Sequence, residues 1–298
     1  SQDASGRAGG ATFYFPVLTE CAQCYQHGRC QWDGVDGEWF CRACWAGPEQ
    51  QAPPPNSLWP HPSILLTKSQ ATAAASLRPW LLGLSSSGPG GGARGDLSTG
   101  DGRQLGACPP AGGGALVLGF DIEWRPNFVK GQPQNRTALL QLAREAEPSP
   151  GEVTVLMRLV GQRELHPDIV ALITSPGAVL VGVGIRADLI KLAKDFCLGT
   201  GASVRIADLG AAAKQLGHQG GFGLKKLAED HGVRCAYKTK RLTMSDWEKT
   251  TLAPAEVAYG ASDATLGLSI AEALQARFSP EAPSLSAFLQ PYVETVVV

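Results

Sequence analysis

The stretch GALVLGFDIEW, residues 114–124, is an almost unbroken apolar run that carries two acidic residues near its end. A run of this kind is typical of a buried β-strand. Asp121 and Glu123 stand two positions apart, so both side chains lie on one face of that strand. Two like charges in a strand core are costly unless a cation neutralises them or the strand ends there in solvent. The pair therefore predicts either a cation site or a solvated strand end.

Strand and helix patterns continue on both sides of this stretch. Upstream, residues 63–67 predict a short strand and residues 71–82 a helix that Pro79 must end or kink. Downstream, the predicted strands are 137–143, 152–160, 178–184 and 204–207. The predicted helices are 167–175, 185–197, 208–216, 224–231 and 254–278, the last with Pro254 in its first turn. This order predicts an α/β fold, a mixed sheet flanked by helices.

Two of the predicted helices carry further acids. Asp188 lies near the start of the helix that follows strand 178–184, where an acid also suits the helix dipole. Tyr259 and Asp263 stand four residues apart in the last long helix and therefore share a face. The residues around them, at 260–262 and 264, are small and let a second object approach closely. Taken alone, Asp188 is better explained as a helix-start acid, and Asp263 can be a solvated surface residue.

Taken together, the segments FDIEW, VGVGIRADLIKL and YGASDATLGL resemble the DEDD superfamily of 3′→5′ exonucleases, which has an RNase H-like fold. A tyrosine four residues before the last aspartate is typical of the tyrosine subclass. The histidine subclass has His five residues before that aspartate, where this chain has Ala258. Further stretches look most like exonuclease domains of the Werner-syndrome helicase type: RTALLQLA, RIADLG, GGFGLKKLAEDHGV and KTKRLTMSDWEKTTL. The resemblance covers roughly residues 115–275.

This resemblance implies a phosphodiester hydrolase that uses two Mg²⁺ or Mn²⁺ ions and releases nucleoside 5′-monophosphates from a 3′ end. Such ions prefer carboxylate oxygens as ligands. By resemblance, Asp121 bridges the two ions, Glu123 and Asp263 complete the site that activates water, and Asp188 holds the second ion through water. Tyr259 is expected to orient the attacking water, because a neutral phenol with a pKa near 10 is a poor base.

Basic residues near these segments are candidate substrate contacts. The net charge is −1, which argues against binding nucleic acid through bulk charge and in favour of local contacts. Such contacts position a phosphate backbone without reading its sequence. The alternative is that these side chains only solvate the surface. The predicted contacts are Lys130, Arg136, Lys238, Lys240 and Arg241.

A competing interpretation concerns Gly182, Gly184 and Ala187, which form a G-x-G-x-x-A pattern after a buried strand. With Asp208 about 20 residues further on, the pattern resembles the dinucleotide-binding fingerprint of a Rossmann fold. That interpretation leaves FDIEW and the Tyr259–Asp263 pair unexplained, and the fingerprint normally opens its fold. We therefore expect these glycines to let the helix pack close to the strand beside the metal site.

The N-terminal part of the chain carries a separate cysteine pattern. Cys21 and Cys24 form one C-x₂-C pair, and Cys41 and Cys44 form a second pair after 16 residues. This spacing predicts one structural Zn²⁺ held by four thiolates, with Cys30 and His27 as spare ligands. So small a segment has little core of its own, so a metal would stabilise it. Reduced thiols without a metal are the alternative.

Composition divides the chain into four parts. They are a disordered start over 1–11, a zinc module over 12–48, a linker over 49–59 and an exonuclease domain over 60–298, with a glycine-rich insertion over 83–114. No stretch is long and apolar enough for a membrane span. We expect an intracellular protein, nuclear in first place, or organellar if a targeting segment precedes Ser1.

The expected function is metal-dependent 3′→5′ exonuclease activity, with DNA favoured as the substrate and DNA repair as its setting. An RNA exonuclease of the same fold and a non-catalytic module that binds nucleic acid or protein are the alternatives. The expected partner is a nucleic-acid 3′ end. A helicase on a separate chain or a protein bound by the zinc module is a further candidate.

Overall fold

The computed structural model describes most of the chain from residue 63 onward, namely 63–86, 114–144, 152–235 and 240–298. It also describes the backbone of three N-terminal strands, β1 (Val17–Glu20), β2 (His27–Asp33) and β3 (Glu38–Cys41). Of the predicted zinc ligands, Cys41 is the last residue of β3, whereas Cys21, Cys24 and Cys44 lie outside the described residues. The linker 49–59 and residues 87–113 of the predicted insertion also lie outside them.

A single mixed sheet forms the centre of the fold. Its remaining strands are β4 (Ser63–Thr67), β5 (Leu116–Trp124), β6 (Thr137–Arg144), β7 (Glu152–Arg158), β8 (Ala178–Gly182), β9 (Ser203–Asp208) and β10 (Val293–Val297). The strand order is β10-β9-β8-β5-β6-β7-β4-β1-β2-β3. Strands β5, β8 and β9 are parallel, β6 runs antiparallel to both β5 and β7, and β10 is antiparallel to β9. The predicted mixed sheet is confirmed.

Helices cover both faces of this sheet. They are α1 (Gln70–Ser86), α2 (Pro167–Ile173), α3 (Ile185–Phe196), α4 (Leu209–Gln215), α5 (Leu224–Asp230), α6 (Lys240–Thr243), α7 (Pro254–Phe278) and α8 (Leu285–Leu289), with a 3₁₀ turn at Gln290–Tyr292. Helices α1, α2 and α3 bury their apolar sides against one face, and α4, α5, α7 and α8 pack on the other. None of the described helices combines the length and apolar character that a membrane span requires.

The end of helix α1 and the strand β10 differ from the sequence prediction. Helix α1 continues past Pro79 to Ser86, so its predicted end at 82 is wrong, and the predicted insertion loses its first four residues, 83–86, to this helix. Pro79 is exposed, whereas Leu77 and Trp80 beside it are buried and hold the helix on the sheet. Strand β10 was missed because only Val296 of its five residues is buried, which leaves a weak pattern at an edge of the sheet.

The alternation along β5 decides what lies on each face. Leu118, Phe120 and Ile122 point into the core beneath α1, α2 and α3. The intervening positions face α7, which crosses β5 at Gly119. An ideal Cβ at Gly119 would lie 2.0 Å from the carbonyl oxygen of Ala264 on α7, so the two backbones meet directly there. The bare backbone at this position lets α7 lie close enough to β5 for their side chains to share one site.

Candidate active site

The side chains of Asp121, Glu123 and Asp263 form one group where β5 meets α7. One carboxylate oxygen of each lies within 4.8 Å of the others. Asp121 and Glu123 are half-buried, and Asp263 is 2% exposed. Asp121 Oδ1 accepts a hydrogen bond from the Ile122 amide at 2.8 Å. Of the two interpretations open for the β5 pair, the third, buried acid in the group favours the cation site over the solvated strand end.

Asp188 occupies a different position from the other three predicted acids. It lies in the first turn of α3 and is half-buried. Helix α3 packs on the opposite face of the sheet from α7 and begins just beyond the end of β8, which neighbours β5. Asp188 is not among the three acids that converge within 4.8 Å. Its predicted role as a fourth ligand stays a prediction.

Tyr259 lies one helical turn before Asp263 and is 1% exposed. Its hydroxyl is 3.2 Å from Oγ1 of Thr243, the last residue of α6. Its ring lies 5.7 Å from the ring of Trp247, which is completely buried. The tyrosine is therefore held by the segment that joins α6 to α7.

A buried arginine anchors that segment. Arg158, at the end of β7, donates hydrogen bonds to the carbonyls of Trp247 and Thr250, each at 3.3 Å, and to that of Lys249. Burial lowers the pKa of the Arg158 guanidinium, and attraction to Glu256 and Asp246 opposes this shift. Three carbonyl acceptors on one guanidinium fix the backbone that carries Trp247.

Glu256 stabilises the beginning of α7 nearby. Its carboxylate accepts a hydrogen bond from the Ala253 amide at 2.8 Å and forms an ion pair with Lys249. The carboxylate thus supplies an acceptor to a backbone amide at the N-terminal end of the helix, where the helix dipole also favours negative charge. The first turn of α7, one turn before Tyr259, is consequently fixed by the contacts of Glu256 with the Ala253 amide and with Lys249.

The predicted contacts Lys130 and Arg136 lie in the loop between β5 and β6 and are exposed. The Arg136 guanidinium donates to the carbonyls of Gln162, Arg163 and Asp195, and it stacks 4.5 Å above the Phe196 ring. These contacts give Arg136 a structural role in fixing the loop. A phosphate contact by either residue stays a prediction.

Asp195 fixes the same end of this loop, where β6 begins at Thr137. It accepts hydrogen bonds from the backbone amide and hydroxyl of Thr137, at 2.7 and 2.8 Å, and from Lys191 at 3.0 Å. Burial raises the pKa of Asp195, but the hydrogen bonds from Lys191 and Thr137 outweigh it, and the net pKa is lowered. The first residue of β6 is therefore tied to α3.

The basic cluster before α7 is only partly described. Arg241 lies in α6 and is exposed, Lys240 begins α6 with only its backbone described, and Lys238 lies outside the described residues. Their predicted contact with substrate stays a prediction.

The glycine pattern after β8 has a structural explanation. Gly184 precedes α3 with a φ of 75°, a conformation that glycine adopts without strain. Asp208 accepts hydrogen bonds from the Gly184 amide at 2.7 Å and from the Ala211 amide at 3.0 Å, which caps α4. An ideal Cβ at Gly182 would lie 2.9 Å from the carbonyl oxygen of Phe120, so β8 packs tightly against β5. The aspartate that the Rossmann interpretation assigns to a ribose is thus engaged by the protein itself.

Several residues around the acids were not singled out in the sequence. Thr243 and Trp247 stand in a quoted stretch, but their contacts with Tyr259 depend on how the chain folds back. Arg158 and Gln141 carry a signal that was available, since each is a polar residue inside an apolar strand pattern and therefore needs a partner.

A mixed sheet between two helical layers, with three converging carboxylates on the α7 side, defines an α/β protein with a candidate divalent-cation site. The model of the 3′-5′ exonuclease family matches residues 103–278, and the chain belongs to this family, within the DEDD superfamily.

Curated proteins described as 3′-5′ exonucleases are similar to this chain over about half of its length. Exonuclease 3′-5′ domain-containing protein 2 of Drosophila melanogaster is 32% identical over 165 residues, which are 55% of this chain and 26% of that protein. A 3′-5′ exonuclease of Arabidopsis thaliana is 30% identical over 153 residues, which are 51% of this chain and 50% of that protein. The chain thus spans half or less of the length of these curated relatives.

A solved structure shows the same fold at lower identity. The catalytic core of RRP6 from Trypanosoma brucei superposes with a TM-score of 0.50 at 16% identity, covering 77% of this chain and 51% of that one. At this identity the similarity concerns the arrangement of strands and helices.

Proposed function

We propose that the protein is a metal-dependent 3′→5′ exonuclease of the tyrosine subclass, which removes nucleoside 5′-monophosphates from the 3′ end of DNA. The observation that carries this proposal is the convergence of Asp121, Glu123 and Asp263 within 4.8 Å in a chain of the 3′-5′ exonuclease family. A hydrolase of this family needs a centre that binds phosphate oxygens and activates water. No other group of three metal-ligating side chains at this spacing occurs in the described part of the chain.

The donor set fits hard divalent cations. All three ligands are carboxylate oxygens, which Mg²⁺ and Mn²⁺ prefer over thiol or imidazole ligands. Three like charges that close to one another, one of them on a buried side chain, repel unless positive charge separates them. Asp121, Glu123 and Asp263 would hold the cations, with Asp188 as the proposed fourth ligand. When bound, two such cations activate water and stabilise the leaving 3′-oxygen.

Tyr259 lies one helical turn before Asp263 on α7, and its hydroxyl is the proposed catalytic group. Its position one turn before Asp263 and its contact with Thr243 support a role in orienting the attacking water. Because a phenol stays protonated at neutral pH, it donates or accepts a hydrogen bond and leaves the proton transfer to other groups. The same arrangement supports the tyrosine subclass over the histidine subclass.

The finer parts of the proposal rest on the sequence. They are the likeness to exonuclease domains of the Werner-syndrome helicase type, the preference for DNA, the structural Zn²⁺ at Cys21, Cys24, Cys41 and Cys44, a separate helicase partner and a nuclear location. Hydrolysis of RNA by the same centre is the second candidate, because carboxylate-bound cations act on either backbone. A non-catalytic binding module is disfavoured by the convergence of three acids at the positions that the family resemblance assigns to metal ligands.

The proposal is tested with the purified full chain, Mn²⁺ or Mg²⁺, and 5′-labelled oligonucleotides. We expect shortening from the 3′ end that stops when this end is blocked or when the cation is chelated. Asp263→Asn, which removes a ligand charge at constant size, should reduce cleavage to the background level. Ser262→Ala, at the neighbouring position of α7, serves as the control and should cleave like the wild type.

The outcomes separate the alternatives. Equal digestion of a circular single strand would show internal cutting and contradict the exonuclease assignment. Faster digestion of an RNA of the same sequence would show that RNA, and not DNA, is the preferred substrate. Tight binding of oligonucleotide without cleavage under all metal conditions would support the non-catalytic module.

A further inference from the structure

Gln141 is a polar residue in β6, a strand that is buried along almost its whole length. Its side chain is 0% exposed, and within the described part of the chain neither amide atom has a hydrogen-bond partner. An amide removed from water without a partner is costly, so an apolar side chain would be more stable at this position. The position of Gln141 relative to the acids indicates a function for this amide.

Strand pairing places Gln141 beside the carboxylate group. It is the direct partner of Asp121 in the register of β5 and β6, so both side chains leave the same face of the sheet. Helix α7 passes over this face at Gly260, where an ideal Cβ would lie 3.8 Å from both Cδ and Nε2 of Gln141. Asp263 follows three positions later on the same helix. The amide is therefore enclosed between Asp121 and the turn of α7 that carries Asp263.

We propose that Gln141 is a positioning residue of the carboxylate site, whose amide hydrogen-bonds the Asp121 carboxylate and fixes its orientation when a divalent cation binds. The inference rests on the proposed function, because it assigns Gln141 a part in the same centre. One oxygen of Asp121 is already oriented by the Ile122 amide at 2.8 Å. A donor from the neighbouring strand adds a second fixed point. Partners that orient a metal ligand in this way typically change metal affinity or activity by about 10- to 100-fold.

Thr154 on β7 offers a matched comparison. It is also 0% exposed, and among the described residues its hydroxyl has no hydrogen-bond partner. Its strand partner on β6 is Ala143, two positions further from the acids than Gln141. Thr154 therefore shares the burial of Gln141 without its position beside Asp121.

The test compares the wild-type full chain with Gln141→Met and Thr154→Val. Each substitution removes an unpartnered polar group at nearly constant size, so each should raise the unfolding temperature of the metal-free protein by about 2–4 °C. Only Gln141→Met should weaken Mn²⁺ binding in titration calorimetry, by about 10-fold or more. Its cleavage rate should recover as the Mn²⁺ concentration rises, because the acids themselves are intact.

Mn²⁺ affinity of Gln141→Met equal to that of the wild type would overturn the proposal. Gln141→Leu carries the same expectation and replaces Gln141→Met if that variant does not fold. If the wild type cleaves and binds Mn²⁺ while both variants bind it equally well, only the role of Gln141 fails. If the wild type neither binds Mn²⁺ nor cleaves, the proposed function and the role of Gln141 both fail.

Discussion

Helix α7 is fixed in two different ways along its length. In its middle, where it carries Asp263, its backbone lies directly on the sheet, because Gly119 of β5 has no side chain to hold it away. At its N-terminal end, the segment that contacts Tyr259 is held by Arg158 reaching across from β7 to three backbone carbonyls. The position of Asp263 beside Asp121 and Glu123 thus depends on the lack of a side chain at Gly119, whereas that of Tyr259 depends on the buried guanidinium of Arg158.

The two ways of fixing α7 control different parts of the site, namely the positions of the acids and the orientation of the Tyr259 hydroxyl. Direct backbone packing leaves the acids little freedom, which suits ligands whose charges repel and must stay together. A hydrogen-bonded segment can shift slightly without breaking the core, so errors there should affect the orientation of a hydroxyl more than the binding of a cation. Substitutions at the two places should therefore give different losses.

The largest effect is expected for Gly119→Ala. An added Cβ would lie 2.0 Å from the Ala264 carbonyl oxygen and 2.8 Å from its carbon, so α7 must move away from β5. We expect a loss of about 3 kcal/mol or more in the free energy of unfolding and no measurable cleavage at temperatures where the chain stays folded. Denaturant unfolding and Mn²⁺ titration measure both effects.

Gly223→Ala is the matched control for this change. Gly223 precedes α5 with a φ of −77°, and a Cβ there meets no atom within 4 Å. This variant should keep wild-type activity and unfold within about 0.5 kcal/mol of the wild type. A stable, active Gly119→Ala protein would show that the close crossing of β5 and α7 does not set the site.

A smaller effect is expected for Tyr259→Phe. The ring and its packing against Trp247 stay, and the hydroxyl near Thr243 is lost. The single-turnover rate should fall by about 100-fold, the usual range for one positioned catalytic group, while binding of oligonucleotide and Mn²⁺ stays unchanged. Tyr292→Phe, in the 3₁₀ turn near the C-terminal end, is the control. If Tyr259→Phe cleaves at the wild-type rate, the Tyr259 hydroxyl has no part in the reaction.

The two ways of fixing α7 also explain what could be predicted from the sequence. Helix α7 was predicted with the bounds that it has, and the small residues around Asp263 indicated a close approach before any partner was known. Asp121 and Glu123 were placed on one face by their spacing alone. The contact of Arg158 with Trp247 joins residues 89 positions apart, and no local pattern encodes it. The edge strand β10 was missed because strand signals depend on burial, and only Val296 there is buried.

The smallest effect is expected for Arg158→Lys, which keeps the charge but loses the planar fork that serves three carbonyls. We expect the single-turnover rate to fall by about 10-fold, because a small displacement far from the chemistry changes the orientation of reacting groups. Stability should fall by roughly 1–3 kcal/mol, because the buried carbonyl of Trp247 and the part-buried carbonyls of Lys249 and Thr250 lose their donors. Arg205→Lys is the control, since Arg205 donates to the Pro176 carbonyl at 2.7 Å far from the acids. It should leave the cleavage rate unchanged.

A double variant separates a positioning role of Arg158 from a purely structural one. If Arg158 acts on the rate through the Tyr259 hydroxyl, Arg158→Lys should slow cleavage in the wild-type background and have no further effect on Tyr259→Phe. If the two losses in rate multiply, Arg158 acts by another route, such as the ion pair of Lys249 and Glu256 at the start of α7. Mn²⁺ affinity measured on the same proteins completes the comparison. It should be the same in all three variants, because the middle of α7 is seated on β5 by Gly119 and not by the segment that Arg158 holds.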